Sequence, residues 1–366
     1  MIQVFGSAVG EKELNGIRSS FKRQWLGMGP KTALFEKAFA KTLGLENFVL
    51  LNSCSSALYM AVKLLNLPPQ SDVIVPSFSW VSCGHAPILA GHNVVFCDVD
   101  YETQNATYET IAGAITPRTK AVMILHYAGL PAKVEQINKL GLPIIEDVAH
   151  AVDSQRHARP CGSLGTLGAY SFDSVKNLTL GEGGGLTAQD HTLIEKARKL
   201  RYCGTLSGFD LSGKKERWWE NEIVDIFPKM TPSDISASIG LAQLKRLGAL
   251  QRRRKSIWEA YQREFAGISW ILRPQEAPPG DRHSYFTYCI KVLGGLRDQL
   301  SEHLLANGIY TTLRFHPLHL YPIYHHRRRL PISEKLGKEA LNLPLHPRLS
   351  DRDVSKIIRT VKKFKS

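Results

Sequence analysis

Long apolar runs are missing from this chain. No stretch approaches the roughly 20 apolar residues of a membrane span, so no membrane partner is expected. The start, MIQVFGSAVGEKEL, has no basic region followed by a long apolar one, and no secretory signal is expected. Cysteine is scarce: six in 366 residues, at 54, 83, 97, 161, 203 and 289. None pairs as CxxC and no His-rich motif accompanies them. A metal site is therefore not expected, and reduced thiols in a cytoplasmic protein are. Internal repeats and low-complexity tracts are lacking as well. Acidic residues are the minority, 33 Asp and Glu against 47 Lys and Arg, for a net charge of +14. Much of the excess sits in RRRK at 252–255, RRR at 327–329 and KKFK at 362–365. No helix-turn-helix, RNA-binding or zinc-finger signature goes with these runs, so nucleic acid is not expected as a partner. Two readings stand: a solvated basic face, or a positive field that welcomes a phosphate-bearing small molecule.

What is present is an ordinary globular composition, 43% hydrophobic and 22% charged, at a length that suggests about two domains. From about 32 to 170 helix and strand patterns alternate. ALFEKAFAKTLG and SSALYMAVKLLNL have helical spacing. FVLLNS, DVIVPS, NVVFCDVD, AVMILHY and LPIIEDVA are short Val- and Ile-rich strands. This predicts an α/β domain with a largely parallel sheet, whose ligands sit at the carboxyl ends of the strands. LSGFDLSGKKERWWENEI reads as a loop. DISASIGLAQLKRLGALQRRRKSIWEAYQREFAG reads as one long helix linking to a smaller C-terminal α/β domain, with SYFTYCIKV and IYTTLRF as its strands. The expected division is 1–245 and 246–366.

Four features fall at strand ends. NSCSSAL (52–58) joins a strand to a helix and frees backbone N–H groups, which is either an anion site or plain N-capping by Ser53, Ser55 or Ser56. IIEDVAH (144–150) ends a strand in two carboxylates and a histidine. Asp147 there suits either a protonated ring nitrogen or a helix cap or salt bridge. VPSFSWVS (75–82) sets Trp80 to stack on a planar ring or to fill the core. SFDSVKNLTLGEGGGL (171–186) holds one lysine, Lys176, before a Gly-rich turn. A depressed pKa would fit it to form a Schiff base; a snorkelling surface lysine is the other reading. Taken together, the four specify a phosphate, a ring with a protonatable nitrogen and an aldehyde, which is pyridoxal 5'-phosphate.

In their order these motifs resemble the DegT/StrS-type sugar aminotransferases, within the fold-type-I pyridoxal-phosphate-dependent enzymes. The likeness runs from GMGPKTALFEKAFA (27–40) through FCDVDYETQN, IIEDVAHA, GSLGTLGAYSFDSVKNLTLGEGG and SDISASIGLAQL to LNLPLHPRLS. It implies a large domain with a mostly parallel mixed sheet sandwiched by helices, plus the smaller C-terminal domain. It implies Lys176 as the Schiff-base lysine and Asp147 as partner of the pyridine nitrogen. His150 would face the ring hydroxyl, Trp80 would stack, and Ser55, Ser56 and Ser171 would hold the phosphate, with Glu182 in the turn behind the lysine. The implied reaction takes an amino group from L-glutamate to a nucleotide-linked keto sugar, in a homodimer with shared active sites. Alternatives are another keto sugar or a cyclitol, lyase chemistry, or a non-catalytic binding relative. Three departures stand out. Cys54-Ser55 replaces a usual Gly-Thr. DIFPKMTPSDISASIG (225–240) lacks the asparagine that the family tends to lend to the partner subunit; either Lys229 replaces it as a cation or the cross-subunit contact is absent. LRFHPLH (313–319) replaces a late HY-x-P pattern, which makes Arg314 and His316 candidates for shaping the substrate pocket or for domain-interface packing.

Overall fold

A computed structural model describes residues 1–206 and 222–364. Most of the expected loop at 206–223 lies outside the described residues.

Seven strands form the central sheet: β1 (Val49–Leu51), β2 (Asp72–Pro76), β3 (Asn93–Cys97), β4 (Thr119–Leu125), β5 (Ile144–Asp147), β6 (Leu167–Ser171) and β7 (Gly184–Ala188). Their spatial order is β1-β7-β6-β5-β4-β2-β3. β3, β2, β4, β5 and β6 run parallel, and β7 is antiparallel to both its neighbours, β6 and β1. Successive strand side chains point to opposite faces. Leu50, Ile74, Val122, Ile124 and Ile144 pack on one side. Val49, Leu51, Val73, Val75, Met123 and Ile145 pack on the other. Both faces are buried, which is why these strands read as apolar runs rather than alternating ones.

β7 was not expected as a strand. GGLTA has little β propensity of its own. Its glycines are required by space. A Cβ on Gly184 would lie 2.2 Å from the backbone of Ser53 and Cys54, and one on Gly185 would lie 2.2 Å from the Phe48 ring. The strand exists because tertiary packing fits it between β1 and β6.

The expected long helix is broken in two, α1 (Asp234–Leu244) and α2 (Leu247–Glu264). Gln243 and Arg246, at the break, both donate to Glu13 Oε1 and to the Ala8 carbonyl, which draws the turn onto the N-terminal helix Glu11–Lys22. Beyond it, β8 (Ile271–Leu272), β9 (Tyr288–Val292) and β10 (Ala340–Leu343) form an antiparallel sheet. Trp258, Tyr261, Leu300, Leu304 and Ile357 pack with it. IYTTLRF makes only single bridges, Ile309 to Ile2 and Thr312 to Asn342. The N-terminal residues thus join the C-terminal sheet layer: Tyr310 N–H reaches the Ile2 carbonyl and Leu345 N–H reaches that of Val4. The basic run 252–255 is not one surface patch. Arg254 is buried (1% exposed) and donates to the Phe286 and Leu345 carbonyls.

Candidate active site

The carboxyl ends of β4, β5 and β6 bring Leu125, Asp147 and Ser171 to one cavity of about 180 Å³. Two helices open onto it by their N-termini: α3 (Cys54–Leu64), which follows β1, and α4 (Val81–Leu89), which follows β2. Ser53 caps α3 by accepting the Ser56 N–H at 3.1 Å. Ser55 Oγ meets Ser82 Oγ at 2.6 Å, so the two helix starts are tied together by hydroxyls. Unsatisfied N–H groups and aligned dipoles at two helix starts make this end of the cavity attractive to an anion.

Asp147 lines the same cavity and is 3% exposed. Its Oδ1 accepts the Ala149 N–H at 2.8 Å and its Oδ2 accepts the Cys83 thiol at 3.1 Å. Burial raises its pKa, opposed by these two hydrogen bonds and by Lys176. Two donors leave carboxylate lone pairs unused. Lys176 lines the same cavity. Burial, and after it the Arg314 guanidinium, lowers its pKa to about 8. His150 is buried, and burial holds it neutral, helped by Lys176 and Arg314. Its Nδ1 accepts the Ala128 N–H at 3.3 Å, which leaves the proton on Nε2. Trp80 is the N-cap residue of α4 and is 56% exposed in the single chain, with its ring 6.0 Å from that of Phe315.

The cavity therefore gathers Ser55, Trp80, Asp147, His150, Ser171, Lys176, Glu182 and Arg314 from five separate sequence motifs. Three candidates lie elsewhere. Ser56 is spent on α3, bonding Ser53 Oγ through its own hydroxyl at 3.0 Å. His316 is exposed and packs edge-on to Tyr321 at 5.0 Å. Lys229 is exposed, with its ammonium 5.5 Å from the Tyr202 ring. Ser82, Asp173 and Phe315, not singled out from the sequence, also line the cavity, as do Ser53 and Cys54. Ser82 had a readable signal, a hydroxyl in the first turn after a strand. Cys83 did not, because its bond to Asp147 joins residues 64 apart.

Residues 7–362 match the DegT/DnrJ/EryC1/StrS aminotransferase family. A dTDP-4-dehydro-2,3,6-trideoxy-D-glucose 4-aminotransferase of Saccharopolyspora spinosa is 40% identical over 97% of this chain and 94% of its own length. A spore coat polysaccharide biosynthesis protein of Bacillus subtilis is 34% identical over 97% and 94%. The aminotransferase TlmJ from Streptoalloteichus hindustanus superposes with a TM-score of 0.94 at 40% identity, over 99% of this chain and 98% of that one. A putative sugar aminotransferase from Streptococcus pneumoniae, solved in its PLP form, superposes with a TM-score of 0.89 at 27% identity, over 98% and 97%. This chain belongs to the DegT/DnrJ/EryC1/StrS aminotransferase family and is a sugar aminotransferase.

Proposed function

We propose that this enzyme binds pyridoxal phosphate in the cavity around Lys176. It transfers the amino group of L-glutamate to the keto group of a nucleotide-linked deoxy sugar, in the formation of amino sugars for surface polysaccharides or glycosylated metabolites. The observation that carries the reading is one cavity with a depressed lysine, an under-satisfied buried carboxylate and an anion-binding end. The PLP form of the pneumococcal relative and the nucleotide-sugar name of the Saccharopolyspora relative support it.

Bound pyridoxal phosphate supplies an aldehyde that bonds amines and a ring that draws electrons from the adjoining carbon. The rest is done by this chain. The starts of α3 and α4, with Ser55 and Ser171, would hold the phosphate. Asp147 would hold a proton on the ring nitrogen with its spare lone pairs, and its burial cost falls once that cation arrives. His150 would offer its Nε2 hydrogen to the ring oxygen. Trp80 would cover one ring face. Lys176 Nζ would take and return the proton. At pH 7 a lysine of pKa about 8 is neutral roughly one time in ten, against fewer than about one in a thousand for an ordinary lysine. Arg314 supplies positive charge at the wall for an acidic substrate.

The protein is expected to be a cytoplasmic homodimer, with Lys229 in place to serve the partner's site. Light scattering that finds a monomer at working concentration would remove the shared site. The substrate reading is tested by incubating loaded protein with L-glutamate and a panel of nucleotide-linked keto sugars. Mass spectrometry should find 2-oxoglutarate and an amino sugar in equal amounts. Oxoglutarate formed once per enzyme, with no member of the panel aminated, would point instead to a cyclitol or unlinked sugar.

A further inference from the structure

His150 is fixed from three directions. Its ring nitrogen takes the Ala128 N–H, its carbonyl takes the Ser284 hydroxyl at 2.5 Å, and its ring lies flat against Phe286. That last contact belongs to a column of four rings: Phe315, His150, Phe286 and Phe5. Successive centroids are 5.8, 4.1 and 5.5 Å apart, with interplanar angles of 6°, 15° and 18°. The four rings come from four distant parts of the chain. Two cations lean on the column. Lys176 Nζ is 4.8 Å from the Phe286 centroid. The Arg314 guanidinium is 5.5 Å from Phe286 and 4.2 Å from Phe5. Phe286 is wholly buried and is tied by its backbone to both domains. Its N–H reaches the Ala128 carbonyl at 3.0 Å, and its carbonyl accepts from buried Arg254 at 3.2 Å.

We propose that Phe286 is a positioning residue of this active site: its ring holds the His150 imidazole flat and closes the inner wall against the Lys176 ammonium. The proposal rests on the reading of the cavity as a pyridoxal-phosphate site. Through Phe286 the C-terminal sheet and the N-terminal segment reach the lysine without touching the cofactor.

The direction of its effect follows from two opposed influences on Lys176. A ring face attracts a cation, which favours the charged amine. The same ring excludes water, which disfavours it, and burial is the larger cause of the depressed lysine. Arg314, steadied by Phe5 and Phe286, pushes the same way, while Asp147 and Asp173 push back; Cys54 beside them is kept protonated by burial and carries no charge. His150 and Glu182 complete the charged or titratable groups of the wall. Replacing Phe286 removes none of these charged or titratable groups from the chain, so a shift would report the ring and the placement of Lys176, His150 and Arg314 that it imposes.

The test uses full-length protein freed of cofactor, as wild type, Phe286→Leu and Phe5→Leu. The rate of pyridoxal phosphate capture, read as growth of the visible band, is followed against pH, and the dissociation constant is read from quenching of tryptophan fluorescence. The wild-type capture midpoint should lie near 8. Phe286→Leu should move it up by half a pH unit or more, slowing capture at pH 7 about threefold, and should weaken binding about tenfold. Phe5→Leu should move the midpoint the same way by less. If both variants lose melting temperature while midpoint and affinity stay at wild-type values, the ring is structural only and the proposal is overturned. If Phe286→Leu does not fold, Phe5→Leu decides: a wild-type midpoint overturns the proposal and an upward shift upholds it. A wild type that takes up no pyridoxal phosphate would end the parent reading and this one together, and it is measured first.

Discussion

Glu146 and Asp147 are consecutive carboxylates on one strand, both buried, with opposite surroundings. Strand alternation sends them to opposite faces. Glu146 is saturated. It accepts from His126 Nε2 at 2.8 Å and from the N–H groups of Gly162, Leu164 and Gly165 at 2.6 to 2.8 Å. His126 Nδ1 in turn accepts the Ala132 N–H, so its proton sits on Nε2 and points at the carboxylate. Asp147 has one backbone donor and one thiol, and it faces a cavity. Burial and residue type do not separate a structural carboxylate from a chemical one. Unused acceptor capacity does.

The comparison can be broken by exchanging charges. Asp147→Asn should lower kcat/KM at least about a hundredfold, the scale of losing one preorganised charged partner. It should cost the cofactor-free protein no stability. Burial raises the Asp147 pKa above its ordinary 3.8, so the carboxylate costs stability as pH rises through the raised folded value. Asn should therefore be the more stable residue at neutral pH, with the gain vanishing toward acid. Glu146→Gln should do the reverse. It turns an acceptor of four hydrogen bonds into a partial donor and should destabilise by about 3 kcal/mol, with kcat of the folded fraction within about threefold of wild type. Denaturant titration and steady-state kinetics on both variants check the crossing. Equal losses in both quantities for both residues would remove the distinction.

A smaller effect sharpens it. Cys83 donates to the one carboxylate that is not saturated. Cys83→Ala should raise the Asp147 pKa further and weaken pyridoxal phosphate binding by about threefold to tenfold, as for a hydrogen bond to a charged group. Cys83→Ser should restore most of it, and fluorescence titration reads both. Binding unchanged in the alanine variant would mean that the thiol is only a neighbour.

The sequence made the sheet legible because strands buried on both faces are apolar runs, and it pointed to Asp147 and Lys176 because one ends such a strand and the other follows one. It hid β7, whose glycines are dictated by the Ser53–Cys54 backbone and the Phe48 ring rather than by any local preference. It left Ser56 open between cap and anion site, since both use the same residue types, and in the folded chain Ser56 bonds Ser53 through its N–H and its hydroxyl. Phe286 was invisible: an aromatic in YFTYCIKV looks like strand core until folding lays it against His150 and Lys176. Arg254, read as part of a basic run, proved to be an interior brace.

The central claim is that Lys176 and Asp147 frame a pyridoxal phosphate site that accepts an amino group. Visible absorbance of the loaded protein before and after L-glutamate tests it most directly, with Lys176→Ala beside it. The wild type should be yellow and bleach with glutamate, and Lys176→Ala should lose turnover by at least about a thousandfold. A wild type that stays colourless with added pyridoxal phosphate, or a Lys176→Ala variant that bleaches and turns over like the wild type, would contradict it.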